Sequence, residues 1–244
     1  MTLRSMHLLA LLAACAGSDA ARAAADHPDI VYLNRCAAGC TVAAGPNDAI
    51  NGMSNLVSGT NSVAAFPGSD TVFDETAACV RHALLPFNIH VIANNPGSLP
   101  RREIMLTTTA TQIGYSSGLR DLSNYDGLAH DNYIAFVFAS AIGSTAVDQL
   151  CQSAAQQIGF LYGIEHVTGN CLDIEDNVAA CGEKSFTNQA SACLGGVFND
   201  SGKCILGNTT QNSYAAILAI ATASDFIFAN SLEAFEVPHA GPSP

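Results

Sequence analysis

The sequence predicts a mixed α/β domain stapled by disulfides, and three observations carry that prediction. Short apolar runs alternate with helical patterns along most of the chain, the order expected of a layered sheet-and-helix architecture. One stretch, 147–162, sets Val147, Leu150, Cys151, Ala154, Ile158, Leu161 and Tyr162 on a single helical stripe. Nine cysteines fall in a chain of 244 residues with only 12% charged side chains, so a sizeable core is available and the cysteines read as cross-links.

Residues 1–14 have the form of an export signal, with Arg4 ahead of an apolar run too short to span a bilayer. Leu12-Ala13-Ala14-Cys15 resembles a bacterial lipobox; lipidated Cys15 would then anchor the protein to the cell envelope through a tether, 15–28. Ala23-Ala24-Ala25 offers the alternative, cleavage after Ala25 and secretion. With Cys15 set aside, eight of the nine cysteines remain, an even set that suits either scheme. Eight cysteines permit many connectivities, and spacing does not choose among them. Sequence proximity suggests Cys36–Cys40, Cys171–Cys181 and Cys193–Cys204, leaving Cys79–Cys151 as a long-range bridge.

Along the mature chain, 29–34 (DIVYLN) reads as a strand and 35–41 as a tight loop closed by two cysteines. The Gly-, Asn- and Ser-rich stretch 43–70 has no period and reads as a long loop. Asp70 is placed to cap a helix over 72–85, stopped by Pro86. Strands follow at 87–93, 103–109 and 133–139, with a polar loop at 115–131, and then comes the helix 147–162. Beyond it lie cysteine-closed loops, an apolar helix from Tyr214 to about residue 229, and a Pro-broken tail, 233–244. The strand and helix order describes one twisted mixed sheet with packed helices, a domain over 29–232.

The charge balance, nine basic against 21 acidic residues, argues against nucleic acid or anionic membrane surfaces as partners, leaving the N-terminal anchor as the only route to a membrane. No G-x-S-x-G and no phosphate-binding Gly loop occurs.

The stretch 154–167, AAQQIGFLYGIEHV, matches the spacing H-E-x-x-H-x-x-G-x-x-H. Gln156 and Gln157 stand at the H-E pair, Phe160 at the second His, Gly163 at the Gly and His166 at the third His. In that pattern two His four residues apart share one helix face and grip zinc, while the Glu serves as general base. The Gly then ends the helix in a left-handed conformation and lets a third His return to the metal. The stretch therefore resembles the active-site helix of the metzincin zinc peptidases with the chemistry removed. Gln156 is a weak neutral ligand, Phe160 offers none, and Gln157 cannot accept a proton at neutral pH.

The resemblance implies a zincin-like fold, with a substrate segment lying along an edge strand over the cleft. It also implies a Met in a turn below the metal, yet all four Met lie at or before Met105, and Glu175 or a neighbour stands in its place. No catalytic residue, metal or cofactor is expected, and the implied role is a pseudo-enzyme that holds a peptide or protein segment in a vestigial cleft or acts as an envelope scaffold. The alternative is an active zinc peptidase rebuilt around His166, with His130, Asp126, Asp131 or Glu165 brought to it. His82, His90 and His130 read otherwise as surface or capping residues, and Asp173, Glu175 and Asp176, whose spacing fits no EF-hand, as a solvated acidic loop.

Overall fold

The structure, a computed structural model, describes residues 29–178, 181–195 and 203–221. The export signal, Cys15, the tether, the tail 233–244 and the last helix beyond residue 221 lie outside the described residues.

The chain opens on strand β1 (Asp29–Asn34) and then forms three short strands, β2 (Cys40–Ala44), β3 (Met53–Ser54) and β4 (Thr60–Val63), which make a sheet of their own. The sequence reads this region as a loop. Its strands are two to five residues long and separated by Gly and Asn, too short to show an alternating period. Helix α1 (Asp70–Leu84) is capped one residue earlier than expected: the Ser69 hydroxyl accepts the Val72 N–H at 3.2 Å, and Asp70 lies in the first turn, where its charge meets the positive helix end.

Strands β5 (Ile89–Ile92) and β6 (Arg102–Thr107) follow, then a 3-10 turn (Ala110–Ile113), a two-residue strand β7 (Asp121–Leu122) and β8 (Ile134–Phe138). A short helix α2 (Ala139–Ile142) leads into the long helix α3 (Val147–Leu161). The remainder forms a second small sheet from β9 (Val167–Thr168), β10 (Ala190–Cys193) and β11 (Thr210–Asn212), and ends on helix α4 (Ser213–Ala221).

The main sheet runs β5-β1-β6-β8-β7, with four parallel strands and β7 antiparallel at one edge. Every residue of β6 and β8 is buried, as expected of central strands covered on both faces. Their side chains sort by alternation. Ile104, Leu106, Ala135 and Val137 pack with Val80, Leu150, Ala154 and Ile158 of the helical layer. Met105, Ile134, Phe136 and Phe138 pack with Val42 and Val63 of the small sheet and with Val57 between its strands. The architecture is mixed α/β, and α3 lies beside the edge strand β7.

Close cysteine pairs support disulfides at Cys36–Cys40, Cys79–Cys151, Cys171–Cys181 and Cys193–Cys204. The second ties α1 to α3 across 72 residues of chain. Four such links point to an oxidising, extracellular environment. Among the described residues no helix is long and apolar enough to cross a membrane.

Candidate functional site

The site is built where α3 ends. Gly163 takes φ +75°, and a Cβ there would also stand 2.8 Å from the Gly127 carbonyl oxygen, so backbone angle and close approach both require glycine. The reversal carries the chain back along the helix and brings His166 onto Phe160, ring centroids 4.7 Å apart and nearly perpendicular. Tyr125 also packs on Phe160, ring centroids 5.4 Å apart. The face of α3 that bears Ser153, Gln156 and Phe160 is covered: the first two are buried and Phe160 is half-buried.

The residues at the aligned ligand positions do not make a zinc site of the three-histidine kind. The Gln156 amide donates to the Asn177 side chain at 3.2 Å, Phe160 presents a hydrocarbon ring, and Gln157 is a buried amide with its Oε1 unpaired. Only His166 offers an imidazole among the aligned positions. Its Nδ1 lies 3.0 Å from the Glu175 carbonyl oxygen, an acceptor only, which places the proton on Nδ1 and the lone pair on Nε2. Burial holds the imidazole below its ordinary pKa; the Glu175 carbonyl and the Asp121 and Glu165 charges pull against that. Among the described residues no three His, Cys, Asp or Glu side chains are grouped to hold a metal.

The acidic loop is where expectation and structure part. Asp173, Glu175 and Asp176 are buried rather than solvated. Asp173 and Asp176 are well provided for: the Thr187 hydroxyl reaches Asp173 at 2.7 Å, and the Asn170 and Val178 amides reach Asp176 at 3.1 and 2.9 Å. Lys184 donates its ammonium to the Asp176 carbonyl rather than to a carboxylate. The Glu175 side chain is fully buried, and neither carboxyl oxygen has a hydrogen-bond partner. Burial drives its pKa well up, the charges of Asp173 and Asp121 add to this, and Lys184 opposes it. Burial thus favours the protonated, uncharged form of the Glu175 carboxyl over the ionised one. Glu175 rests on the α3 backbone at Gly159, where a Cβ would fall on its Oε1. That contact accounts for a glycine inside a helix at a cost of about 1 kcal/mol against alanine.

Asp121 supplies the far wall. This half-buried residue of β7 accepts a hydrogen bond from the Ser153 hydroxyl of α3; burial raises its pKa, with Ser153 and His166 pulling it back. Asp121 was hidden in a polar loop, and the only signal that could have found it is its place between the third main strand and β8, where an edge strand had room to form. Tyr125 donates to Glu165 at 3.0 Å, and its own pKa rises well above the usual phenol range, chiefly through burial.

The other residues considered for a rebuilt site are engaged elsewhere. His130 pairs with Asp126 at 2.7 Å and stacks on Tyr133, Asp131 bonds Arg102 at 2.6 Å, and Glu165 accepts from Tyr125 and from the Ile205 amide at 2.7 Å. His82 is exposed on α1, 3.6 Å from Glu183, and His90 lies in β5.

In comparisons with known proteins, no family model and no curated protein matches the chain.

Proposed function

We propose that this chain is an exported metzincin-like domain whose zinc site has been dismantled. Its cleft, between β7 and α3, holds an extended peptide or protein segment, and the protein acts as a binding or envelope scaffold domain rather than a peptidase. The observation that carries this reading is the meeting of Phe160 and His166. A helix, a left-handed glycine and a returning histidine support the reading, since they bring the positions expected of a second and third ligand together while the second carries a hydrocarbon ring. The edge strand supports the binding role: β7 has α3 on its flank, and its outer edge pairs with no strand among the described residues. Such an edge offers backbone donors and acceptors to an added strand.

A second reading, an active peptidase rebuilt around His166, draws on the carboxyl groups of Asp121 and Glu175 beside it. Metal content separates the two. The chain is purified from an oxidising compartment without chelator or affinity metal, and zinc is measured by elemental mass spectrometry. Far less than one zinc per chain is the expected result. About one zinc per chain, lost in His166→Ala, would establish the rebuilt site instead.

A further inference from the structure

A cavity of about 320 Å³ lies at the Gly163 reversal, walled by Tyr162, Gly163, Ile205, Leu206, Ala216 and Ile220. Several polar side chains that also line it are already engaged within the fold. Tyr162 donates to Asp29 at 3.1 Å and Tyr125 to Glu165 at 3.0 Å. Gln211 accepts from the Glu165 amide at 3.0 Å and donates to its carbonyl at 2.9 Å. What stays uncovered is apolar: Leu206 is 64% exposed and Ile220 37%. Helix α4 supplies one wall through Ala216 and Ile220, a turn apart on one face, and its last residue is Ala221, so the chain continues from the wall of the cavity itself. The stretch that follows, 222–237, carries Phe226, Ile227, Phe228, Leu232, Phe235 and Val237. The stretch 16–28, which leads into Asp29 beside Tyr162, has no Phe, Tyr, Leu, Ile, Val or Met.

We propose that this cavity is the docking site of the chain's own C-terminal segment, with an aromatic side chain from 226–228 seated against Leu206, Ala216 and Ile220. Phe226 stands five positions past Ala221, a reach of up to about 17 Å of extended chain. A segment tethered so closely is present at an effective concentration on the order of millimolar. A second copy as occupant has no such advantage and meets repulsion between two chains of net charge −12. Docking takes the exposed leucine and isoleucine out of water and closes the space beside Gly163, the turn that leads to His166. It does not depend on what the cleft at β7 holds.

The test uses the full chain with the photo-crosslinker p-benzoylphenylalanine in place of the exposed Leu206. Irradiation, proteolysis and mass spectrometry are expected to join position 206 to a peptide from 222–237 of the same chain. Ala216→Trp, which fills the cavity from α4, lowers the yield of that link several-fold. Phe226→Ser/Phe228→Ser, which removes the occupant and leaves the wall intact, lowers it as well and serves if Ala216→Trp does not fold. With Leu206 in place, the same double change raises the fluorescence of anilinonaphthalene sulfonate several-fold as the apolar wall opens to the dye. Cross-links to a second chain, seen as a doubled mass, overturn the proposal in favour of self-association through this face. Cross-links confined to other parts of the chain, or none, overturn it outright.

Discussion

Two buried polar clusters flank the main sheet, and they differ in kind. At the N-terminal end of β6, the buried charges Arg101, Arg102 and Glu103 all have partners. Arg101 meets Glu103 at 3.1 Å and donates to the carbonyls of Gly97 and Ala49, both at 2.8 Å. Arg102 bonds Asp131 at 2.6 Å, lies 3.4 Å from Asp29, and stacks over Tyr162 at 3.9 Å. Glu103 also accepts from Asn34 at 2.8 Å; burial raises its pKa, and Asn34 and Arg101 hold it down. In the cleft, the charges of Asp121, Glu165 and Asp176 bear on His166, whose pKa burial lowers, and neither carboxyl oxygen of Glu175 has a hydrogen-bond partner. The first cluster holds distant loops to the sheet. In the second, burial favours the protonated form of Glu175, and the carboxyl oxygens of that residue and the amide oxygen of Gln157 are left without donors.

The sharpest way to break the comparison is to unpair the satisfied cluster. Arg101→Met leaves Glu103 buried without its cation and frees the Gly97 and Ala49 carbonyls. It is expected to cost about 3–5 kcal/mol, read by urea unfolding. A loss below about 1 kcal/mol would mean that the pairing adds little.

A smaller effect is expected at the contact between the acidic loop and the helix. Gly159→Ala drives a methyl into Glu175 Oε1 and toward Phe186, whose Cε1 would lie 3.2 Å away, and should destabilise by about 1–2 kcal/mol despite the better helix propensity of alanine. In a Glu175→Ala background the same change should turn neutral or stabilising. Additive effects would show that Glu175 does not lie on Gly159.

The gentlest change concerns charge alone. Between the ordinary carboxyl pKa near 4.5 and the raised value in the fold, the folded chain holds a Glu175 proton that the unfolded chain has lost. Stability contributed by this group is full below that ordinary value and falls as pH rises, by up to about 1.4 kcal/mol per pH unit. Glu175→Gln cannot lose a proton, so the stability difference between variant and wild type should grow in the variant's favour from pH 5 to pH 8 in thermal unfolding. A difference that stays constant with pH would place Glu175 in water.

Much of the frame was legible in the sequence. The strands at 29–34 and 134–138 are runs of apolar, β-favouring residues, and α1 and α3 carry full helical stripes, so length and period both point the same way. The site was legible where glycine chemistry is strict: Gly163 needs its left-handed angle, and the spacing to His166 follows from it. What escaped had no such signature. Strand β7 is two residues long, one of them charged, and forms only because β8 offers it an edge. The acidic loop reads as solvated because three carboxyls in four residues are seldom buried, and only tertiary donors such as Thr187 and Asn170 make burial bearable for Asp173 and Asp176. Glu175 defeats composition altogether: its side chain is fully buried, and burial favours its uncharged form.

The most direct test of the central claim is to restore what the helix lacks. In Gln156→His/Gln157→Glu/Phe160→His, two imidazoles return to one helix face with His166 already folded back beside the second. Zinc binding by the purified chain would be measured by titration against a chromogenic chelator. The account predicts uptake of about one zinc per chain by the restored variant, lost on adding His166→Ala, and no comparable uptake by the wild type. A restored variant that folds and takes up no zinc, or a wild type that binds it equally well, would contradict it.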